Sequence, residues 1–254
     1  MSGAGEGEAA EDPGLQRVSI ERRGVATDDQ IIVEMPLEIR VDDEPFVITM
    51  RTPGADRELA AGYLFTEGVI GGPGDVEAVE PLDDPLAYDP DNVVVVRLTP
   101  EVADRLRGRD LARRERLAVS ACGLCGKAQL EEIYQRWPAI EPMAVDPVFV
   151  EGLPAVMERA QVLFPRTGGV HGAALFDADG ALLDLAEDVG RHNALDKLIG
   201  AALLRGELPW RRRLVVMSSR AGFEIVQKAM MAQAPVLVSV LLVINFADFK
   251  ANSR

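Results

Sequence analysis

The stretch LVVMSSRAGFEIVQKAMMAQAPVLVSVLLVI, residues 214–244, decides the fold class of this 254-residue chain. Leu214 to Met217 is an apolar run of strand length, and after a short loop residues 223–233 have the apolar spacing of a helix. Residues 236–244 then predict a second, buried strand. A strand, a helix and another strand in this order indicate an α/β layer structure.

The segment before this unit continues the alternation of helices and strands. Asp146-Pro147 is typical of a helix start, and apolar residues recur at helical spacing as far as Leu163. Residues 173–176 and 181–186 flank Asp177-Ala178-Asp179-Gly180, which predicts a β-hairpin. A further helix is predicted from His192 to Leu204.

The first half of the chain has the two-residue period of β-strands. We predict short strands at 18–21, 30–33, 37–41, 46–50 and 93–98. Asp56 is the predicted cap of a helix over 57–66, which Gly68 ends, and Thr99-Pro100 predicts the start of another helix. The predicted organisation is a disordered tail over 1–14, a strand-rich portion over 15–117 and an α/β portion over 118–254.

Composition excludes several classes of protein. The formal net charge of −14 argues against sequence-independent binding to nucleic acid, because phosphate contacts need a basic surface. We find neither a secretory signal nor an apolar run long enough to span a bilayer, and two cysteines cannot form a disulfide framework. We therefore expect a cytoplasmic protein that does not contact a membrane. Two arginine clusters remain open to interpretation as solvated helix faces or as anion-binding patches; their members are Arg105, Arg107, Arg109, Arg113, Arg114, Arg116 and Arg211 to Arg213.

Cys122 and Cys125 are the only cysteines, and they precede an amphipathic run over 128–137. A thiol near a helix start, beside the Lys127 ammonium, has its thiolate form stabilised. Gly123 and Gly126 give the backbone freedom around both sulfurs. This combination indicates a reactive thiol that moves between partners.

The chain has two histidines, and both lie where a loop meets a helix or strand, with glycine neighbours. His171 follows Thr167-Gly168-Gly169-Val170, and His192 follows Val189-Gly190-Arg191. Such positions favour side chains that face a ligand. The loop Ser218-Ser219-Arg220-Ala221-Gly222 joins a predicted strand to a helix start, where backbone amides and an arginine can hold an anion, although an ordinary capped turn has the same composition.

Other interpretations of the cysteines and histidines were weighed. The separations of the two cysteines and two histidines fit no zinc-finger spacing. Hydrolytic deamination needs a His-x-Glu and a Pro-Cys-x-x-Cys, but neither histidine begins such a motif and Ala121 replaces the proline. A thioredoxin-like dithiol oxidoreductase remains an alternative, because Cys-x-x-Cys alone is compatible with it.

Five ordered blocks together resemble the formate dehydrogenase accessory sulfurtransferase family, FdhD. These blocks are Arg51 to Ile70, Ser120 to Lys127, Thr167 to Leu175, Glu187 to Gly200 and Ser218 to Lys228. The resemblance implies a cytidine-deaminase-like α/β fold without that fold's zinc, so no intrinsic metal is expected. It also implies a sulfur carrier that passes sulfur from a cysteine desulfurase to the molybdenum cofactor, bis-molybdopterin guanine dinucleotide, before formate dehydrogenase receives it.

The resemblance also implies roles for particular residues. Cys122 would carry a persulfide and Cys125 would assist or resolve it, so the catalytic candidates are these two cysteines. We expect His171, Arg191, His192, Ser219 and Arg220 to bind the cofactor. A homodimer is expected, with a cysteine desulfurase and the formate dehydrogenase catalytic subunit as partners. A chaperone that binds the cofactor without sulfur chemistry is the competing hypothesis.

One segment departs from the family pattern. After Pro235-Val236 the family continues through further helix and strand, whereas this chain reads LVSVLLVINF over 237–246 and ends at Arg254. The C-terminus therefore resembles a truncated or frame-shifted version. Relative to a full-length member, we expect weaker cofactor binding and poorer solubility, because an apolar sheet edge would lose its cover.

Overall fold

The structure of the chain is a computed structural model that describes residues 12–84, 86, 88–107, 116–117, 138–240 and 242–246. The predicted tail is described only from residue 12, where Asp12 to Gly14 form a turn before the first strand. No helix in the described ranges is long and apolar enough to cross a membrane. Both cysteines and the amphipathic run over 128–137 lie outside the described residues.

The first half contains a strand at each predicted position. A separate hairpin pairs β1 with β2, and a five-stranded sheet has the order β5-β6-β3-β4-β7. Strands β3 and β4 are antiparallel, whereas β6 and β7 run parallel to their neighbours β3 and β4. The strands are β1 (Leu15–Arg22), β2 (Val25–Ile32), β3 (Met35–Val41), β4 (Glu44–Arg51), β5 (Val76–Pro81), β6 (Val93–Leu98) and β7 (Arg116–Leu117). Strands β1, β3 and β4 are longer than predicted, β2 starts earlier and ends one residue sooner, and β6 has the predicted bounds. Strands β5 and β7 were not predicted.

Helix α1 (Asp56–Thr66) was predicted correctly, but its predicted cap was wrong. The residue before the helix is Ala55, with φ 53°, and no side chain caps the first turn. Asp56 instead accepts hydrogen bonds from Arg51 Nε and Nη2 at 2.9 and 2.8 Å. The buried guanidinium of Arg51 is better satisfied by a carboxylate than by solvent, so the carboxylate turns towards it. Gly68, at φ 70°, ends the helix as predicted.

The second five-stranded sheet has the order β12-β11-β10-β8-β9. Strand β10 runs parallel to β11 and antiparallel to β8, and β8 and β9 form the predicted hairpin. The strands are β8 (His171–Asp177), β9 (Leu182–Asp188), β10 (Arg213–Met217), β11 (Val236–Ser239) and β12 (Leu242–Asn245). The parallel pair confirms the strand, helix and strand unit predicted from residues 214–244.

Six further α-helices and two short 3₁₀ helices, Pro73–Asp75 and Pro90–Asn92, occur in the described residues. The α-helices are α2 (Pro100–Arg107), α3 (Pro147–Glu151), α4 (Leu153–Ala160), α5 (Phe164–Thr167), α6 (Arg191–Leu204) and α7 (Phe223–Met231). Asp146 caps α3 as the Asp-Pro pair predicts, since its side chain accepts a hydrogen bond from Val148 N at 2.9 Å. Helix α6 starts one residue before the predicted position, at Arg191.

The single strand predicted over 236–244 was wrong. The run is divided into β11 and β12, which pair antiparallel with Val238 opposite Val243. Ser239 Oγ donates to Leu242 O at 3.1 Å across the turn. A continuous apolar run has no periodicity to reveal a reversal of direction, which is why the sequence predicted one strand.

One hydrophobic core contains residues from both sheets, with α1 and α6 at its centre. Leu59 and Leu64 of α1 and Leu195 and Leu198 of α6 are almost fully buried in it. These helices touch through glycines: a Cβ on Gly200 would lie 1.8 Å from Glu58 O. The core thus connects the strand-rich and α/β portions, and their division near residue 117 stays a prediction.

Candidate functional site

The candidate binding residues lie on one side of the second sheet, where β8 begins and β9 and β10 end. His171 begins β8, and its register partner Asp188 ends β9. Strand β10 ends beside β8, with Met217 opposite Ala173, so the loop that carries Ser219 and Arg220 leaves from the same edge. We call this the polar edge: His171, Arg191, His192, Ser218, Ser219, Arg220 and Glu224.

His171 is held by the loop that follows β10. Its Nδ1 lies 3.3 Å from Ser218 Oγ, which also accepts a hydrogen bond from Gly172 N at 2.9 Å. Burial lowers the pKa of His171 from its ordinary 6.5, and the positive charges of Arg191 and His192 lower it further, against the opposing effect of Asp188. His171 is therefore held towards its neutral form, and its Nε2 has no hydrogen bond to the residues that the structure describes.

His192 lies in the first turn of α6 and faces the first turn of α7. Its Nε2 is 2.7 Å from Glu224 Oε2, and only 9% of the Glu224 side chain is exposed. Helix N-termini carry a partial positive charge, and those of α6 and α7 both open at the polar edge. Arg191 and Arg220 add formal positive charge there. The arrangement suits an anionic group.

Ser219 occupies a different position from its neighbour. Its side chain is buried, and its hydroxyl donates to Arg220 O at 3.3 Å, within the loop itself. Ser218 is the serine whose hydroxyl contacts His171. Ser219 was the predicted binding residue, but the contacts place Ser218 against His171.

A buried carboxylate ties the polar edge to the first sheet. Asp188 is fully buried and accepts hydrogen bonds from Thr52 N at 3.1 Å and Gly190 N at 2.8 Å. Lys197 Nζ lies 2.7 Å from Asp188 Oδ2 and also donates to Thr52 O at 2.7 Å. Asn193 Nδ2 donates to Met50 O at 2.7 Å. The end of β4 is thus fixed against the start of α6.

This network was missed by the sequence analysis. Asp188, Asn193 and Lys197 were included only as part of a matching block, and no role was given to Glu224. A usable signal was present, because Asp188 lies just after the predicted strand over 181–186 and Lys197 lies between apolar residues of α6. Charged residues in such positions require partners when buried.

The arginine clusters are partly paired with carboxylates. Arg105 is 3.5 Å from Asp75, Arg211 is 3.6 Å from Glu141, and Arg213 is 3.6 Å from Glu207. These contacts favour ion-paired surfaces for Arg105, Arg211 and Arg213. Arg109, Arg113 and Arg114 lie outside the described residues.

Comparison with known proteins places the chain in a family. The sequence profile of the FdhD/NarQ family matches residues 32–248. The chain belongs to the FdhD/NarQ family. This confirms the resemblance that the five sequence blocks carry.

Relatives within the FdhD/NarQ family are named sulfur carrier protein FdhD. The protein from Streptomyces coelicolor is 45% identical over 221 residues, which are 84% of this chain and 76% of that protein. The protein from Mycolicibacterium paratuberculosis is 42% identical over 226 residues, 86% of this chain and 81% of that protein.

A crystal structure described as a formate dehydrogenase accessory protein from Desulfotalea psychrophila has a similar fold. It is 23% identical, superposes with a TM-score of 0.65, and covers 89% of this chain and 82% of its own. The mixed α/β class predicted from the sequence is confirmed. The finer likeness to cytidine deaminases stays a prediction.

Proposed function

We propose that this FdhD/NarQ family member is a sulfur carrier that passes sulfur from a cysteine desulfurase to bis-molybdopterin guanine dinucleotide, for formate dehydrogenase. The main support is its 45% identity to the Streptomyces coelicolor protein named sulfur carrier protein FdhD. Cys122 accepts the sulfur and Cys125 assists its release. The molybdenum cofactor is a substrate in this scheme, not a resident group.

The direction of β7 supports a role for the cysteines at the polar edge. Leu117 pairs with Ile48 in parallel register, and β4 continues to Arg51, next to the Thr52 that contacts Asp188. Cys122 follows Leu117 by five residues. Five residues span at most about 17 Å, which is enough to extend past the end of β4. The polar edge is therefore within chain reach of the thiol.

The proposed chemistry uses each cysteine once. The Cys122 thiolate attacks the outer sulfur of a persulfide on the desulfurase. The S–S bond of that persulfide breaks, and the desulfurase cysteine leaves as a thiolate. Cys122 then carries the persulfide. Attack by the Cys125 thiolate on Cys122 Sγ forms a Cys122–Cys125 disulfide, and hydrosulfide leaves with the electron pair of the broken S–S bond. The cofactor at the polar edge receives this sulfide. A dithiol reductant then returns both cysteines to thiols before the next cycle.

The polar edge supplies the groups that would hold the cofactor. Arg191, Arg220 and the first turns of α6 and α7 suit its phosphates. His171, held towards its neutral form, offers a nitrogen that accepts or donates a hydrogen bond to a guanine or phosphate. Ser219 stays in the proposal as part of the loop that carries Arg220.

Mass spectrometry of the whole protein tests the carrier role. Incubation with a cysteine desulfurase and free cysteine adds the mass of one sulfur atom to Cys125→Ser, but not to Cys122→Ser, whereas the parent gains one sulfur or, once Cys125 has released it, loses two hydrogens as a disulfide. Because the chain has no other cysteine, the variant Cys122→Ser/Cys125→Ser is a complete blank. Absence of added sulfur in Cys125→Ser would favour the cofactor chaperone instead.

The remaining parts of the proposal have their own tests. Titration with guanosine diphosphate measures the phosphate and guanine contacts, with guanosine as the control that lacks phosphate. Sedimentation tests the expected homodimer, and fractionation tests the cytoplasmic location that reduced thiols require.

A further inference from the structure

The loop after β10 holds Ser218 against the start of β8. Ser218 N donates to Gly172 O at 3.0 Å, and Gly172 N donates to Ser218 Oγ at 2.9 Å. These two contacts extend the pairing of β8 with β10 by one residue beyond Met217. The position of the Ser218 hydroxyl is therefore determined by the backbone of both strands.

The same hydroxyl contacts the imidazole of His171. Ser218 Oγ lies 3.3 Å from His171 Nδ1, and its other hydrogen bond among the described residues is the one from Gly172 N. If Nδ1 carried the ring proton, Oγ would receive two N–H donors, and its own hydrogen would have no acceptor in the described part of the chain. If Nδ1 is instead the acceptor, the hydroxyl accepts once and donates once. The proton of the neutral ring then lies on Nε2.

The surroundings of His171 favour the neutral ring. Burial lowers its pKa, and the positive charges of Arg191 and His192 lower it further, whereas Asp188 opposes them. A neutral imidazole has one donor and one acceptor nitrogen. With Nδ1 accepting from Ser218, Nε2 is the donor, and it has no hydrogen bond to the residues that the structure describes. His171 thus has one free N–H at the polar edge.

We propose that Ser218 is a positioning residue for cofactor binding, which fixes the tautomer and the ring orientation of His171 so that Nε2–H is a constant donor. This N–H contacts a hydrogen-bond acceptor of the cofactor's guanine nucleotide, so the inference rests on the proposed function. The acceptor is the guanine carbonyl or a phosphate oxygen. Ser218 itself touches no substrate. Arg191 and Arg220 attract any anion by charge, whereas a fixed N–H selects an acceptor at one place.

Nitrogen NMR of the imidazole tests the tautomer without a ligand. The chain has two histidines, so the signals of the parent that His171→Gln loses belong to His171, and His192→Gln gives the same assignment by difference. Above the pKa of the ring, a proton–nitrogen correlation spectrum should show Nε2 with a proton and Nδ1 without one. Ser218→Ala should move both nitrogens towards the averaged shifts of exchanging tautomers. A parent protonated on Nδ1, or a spectrum unchanged by Ser218→Ala, would overturn the inference.

Titration with guanosine diphosphate tests the consequence for binding. Ser218→Ala frees the ring, so it should weaken the affinity about three- to tenfold, the cost of ordering one side chain on binding. Ser218→Thr keeps the hydroxyl and should keep the parent affinity. The control Ser19→Ala makes the same change at an exposed position of β1 and leaves the affinity unchanged. Equal affinities of Ser218→Ala and the parent would count against the positioning role.

A double-mutant cycle tests whether Ser218 acts through His171. In a His171→Phe background, which has no ring nitrogen, Ser218→Ala should cause no further loss of guanosine diphosphate affinity. Additive losses would overturn this inference alone. Failure of the parent to bind guanosine diphosphate would overturn the nucleotide site of the proposed function together with this inference.

Two smaller probes locate the acceptor. If it is the guanine carbonyl, Ser218→Ala weakens binding of guanosine and leaves that of inorganic pyrophosphate unchanged. If it is a phosphate oxygen, the loss is seen with pyrophosphate and not with guanosine. A loss with guanosine diphosphate that neither probe reproduces would contradict a direct contact from His171.

Discussion

Lys197 and Asp188 form an ion pair of 2.7 Å in which the side chains are only 4% and 0% exposed. Both residues also bond to the backbone of Thr52, so the pair holds the start of α6 against the end of β4. Burial removes water from both charges, so each charged group depends on its partner to compensate for the lost hydration. The position of Arg191 and His192 at the polar edge depends on it.

Replacement of Lys197 by methionine should therefore destabilise the protein strongly. Asp188 would keep its backbone donors but lose its compensating charge, and removal of one partner of a buried pair costs about 3–5 kcal/mol. Urea unfolding measures the loss. The matched control is Arg205→Met, which breaks an exposed pair with Asp184 and should change the unfolding free energy by less than about 1 kcal/mol. Similar losses in the two variants would contradict the prediction.

The contact between α1 and α6 leaves no room for a side chain at Gly200. A Cβ there would lie 1.8 Å from Glu58 O, and one at Gly62 would lie 1.9 Å from Asp196 O. We expect Gly200→Ala to force the helices apart and to lower the unfolding free energy by about 2 kcal/mol or more. Gly74→Ala is the control, since nothing lies within 4 Å of a Cβ built there. Equal melting temperatures would show that the helices yield without strain.

Acid should destabilise the protein partly through His171. Its pKa in the folded protein is lowered from 6.5, first by burial and then by Arg191 and His192. Between the folded and unfolded values the unfolded chain binds more protons, so stability falls as the pH drops below 6.5 and levels off below the folded value. His171→Gln should make the unfolding free energy less sensitive to pH in that window, as measured by urea unfolding. An unchanged slope would refute this assignment.

The sequence predicted the helices and strands well wherever the hydrophobic period agrees with the turn and capping residues that flank it. Residues 93–98 and the starts of α3 and α7 lie where the pattern placed them. Asp56 was wrongly predicted as a helix cap. Its carboxylate accepts hydrogen bonds from Arg51, which becomes a buried neighbour only on folding. Rules based on residues adjacent in the sequence do not include a contact that forms only on folding.

The candidate site was predictable in the members that lie where loops meet helices or strands, and not in its buried ones. His171, His192 and Arg220 stand out because glycines and loop positions mark residues that face a ligand. From the sequence alone, Glu224 and Lys228 are typical of the solvent-exposed face of a helix. The pattern that could have revealed them is the four-residue spacing of His192 and Asp196 and of Glu224 and Lys228, which places basic and acidic side chains at matching turns of two helices.

Strand β12, at the side of the second sheet, should drive self-association. Strand β12 has one neighbour among the described strands, and Leu242 and Val243 are 50% and 41% exposed on it. An apolar edge strand with open backbone groups pairs readily with another chain. Leu242→Lys should therefore reduce light scattering at high protein concentration with little loss of stability, because the side chain is half in solvent. Leu237→Lys, a control at a fully buried position in β11, should instead unfold the protein. If Leu242→Lys scatters as much light as the parent, association proceeds through another surface.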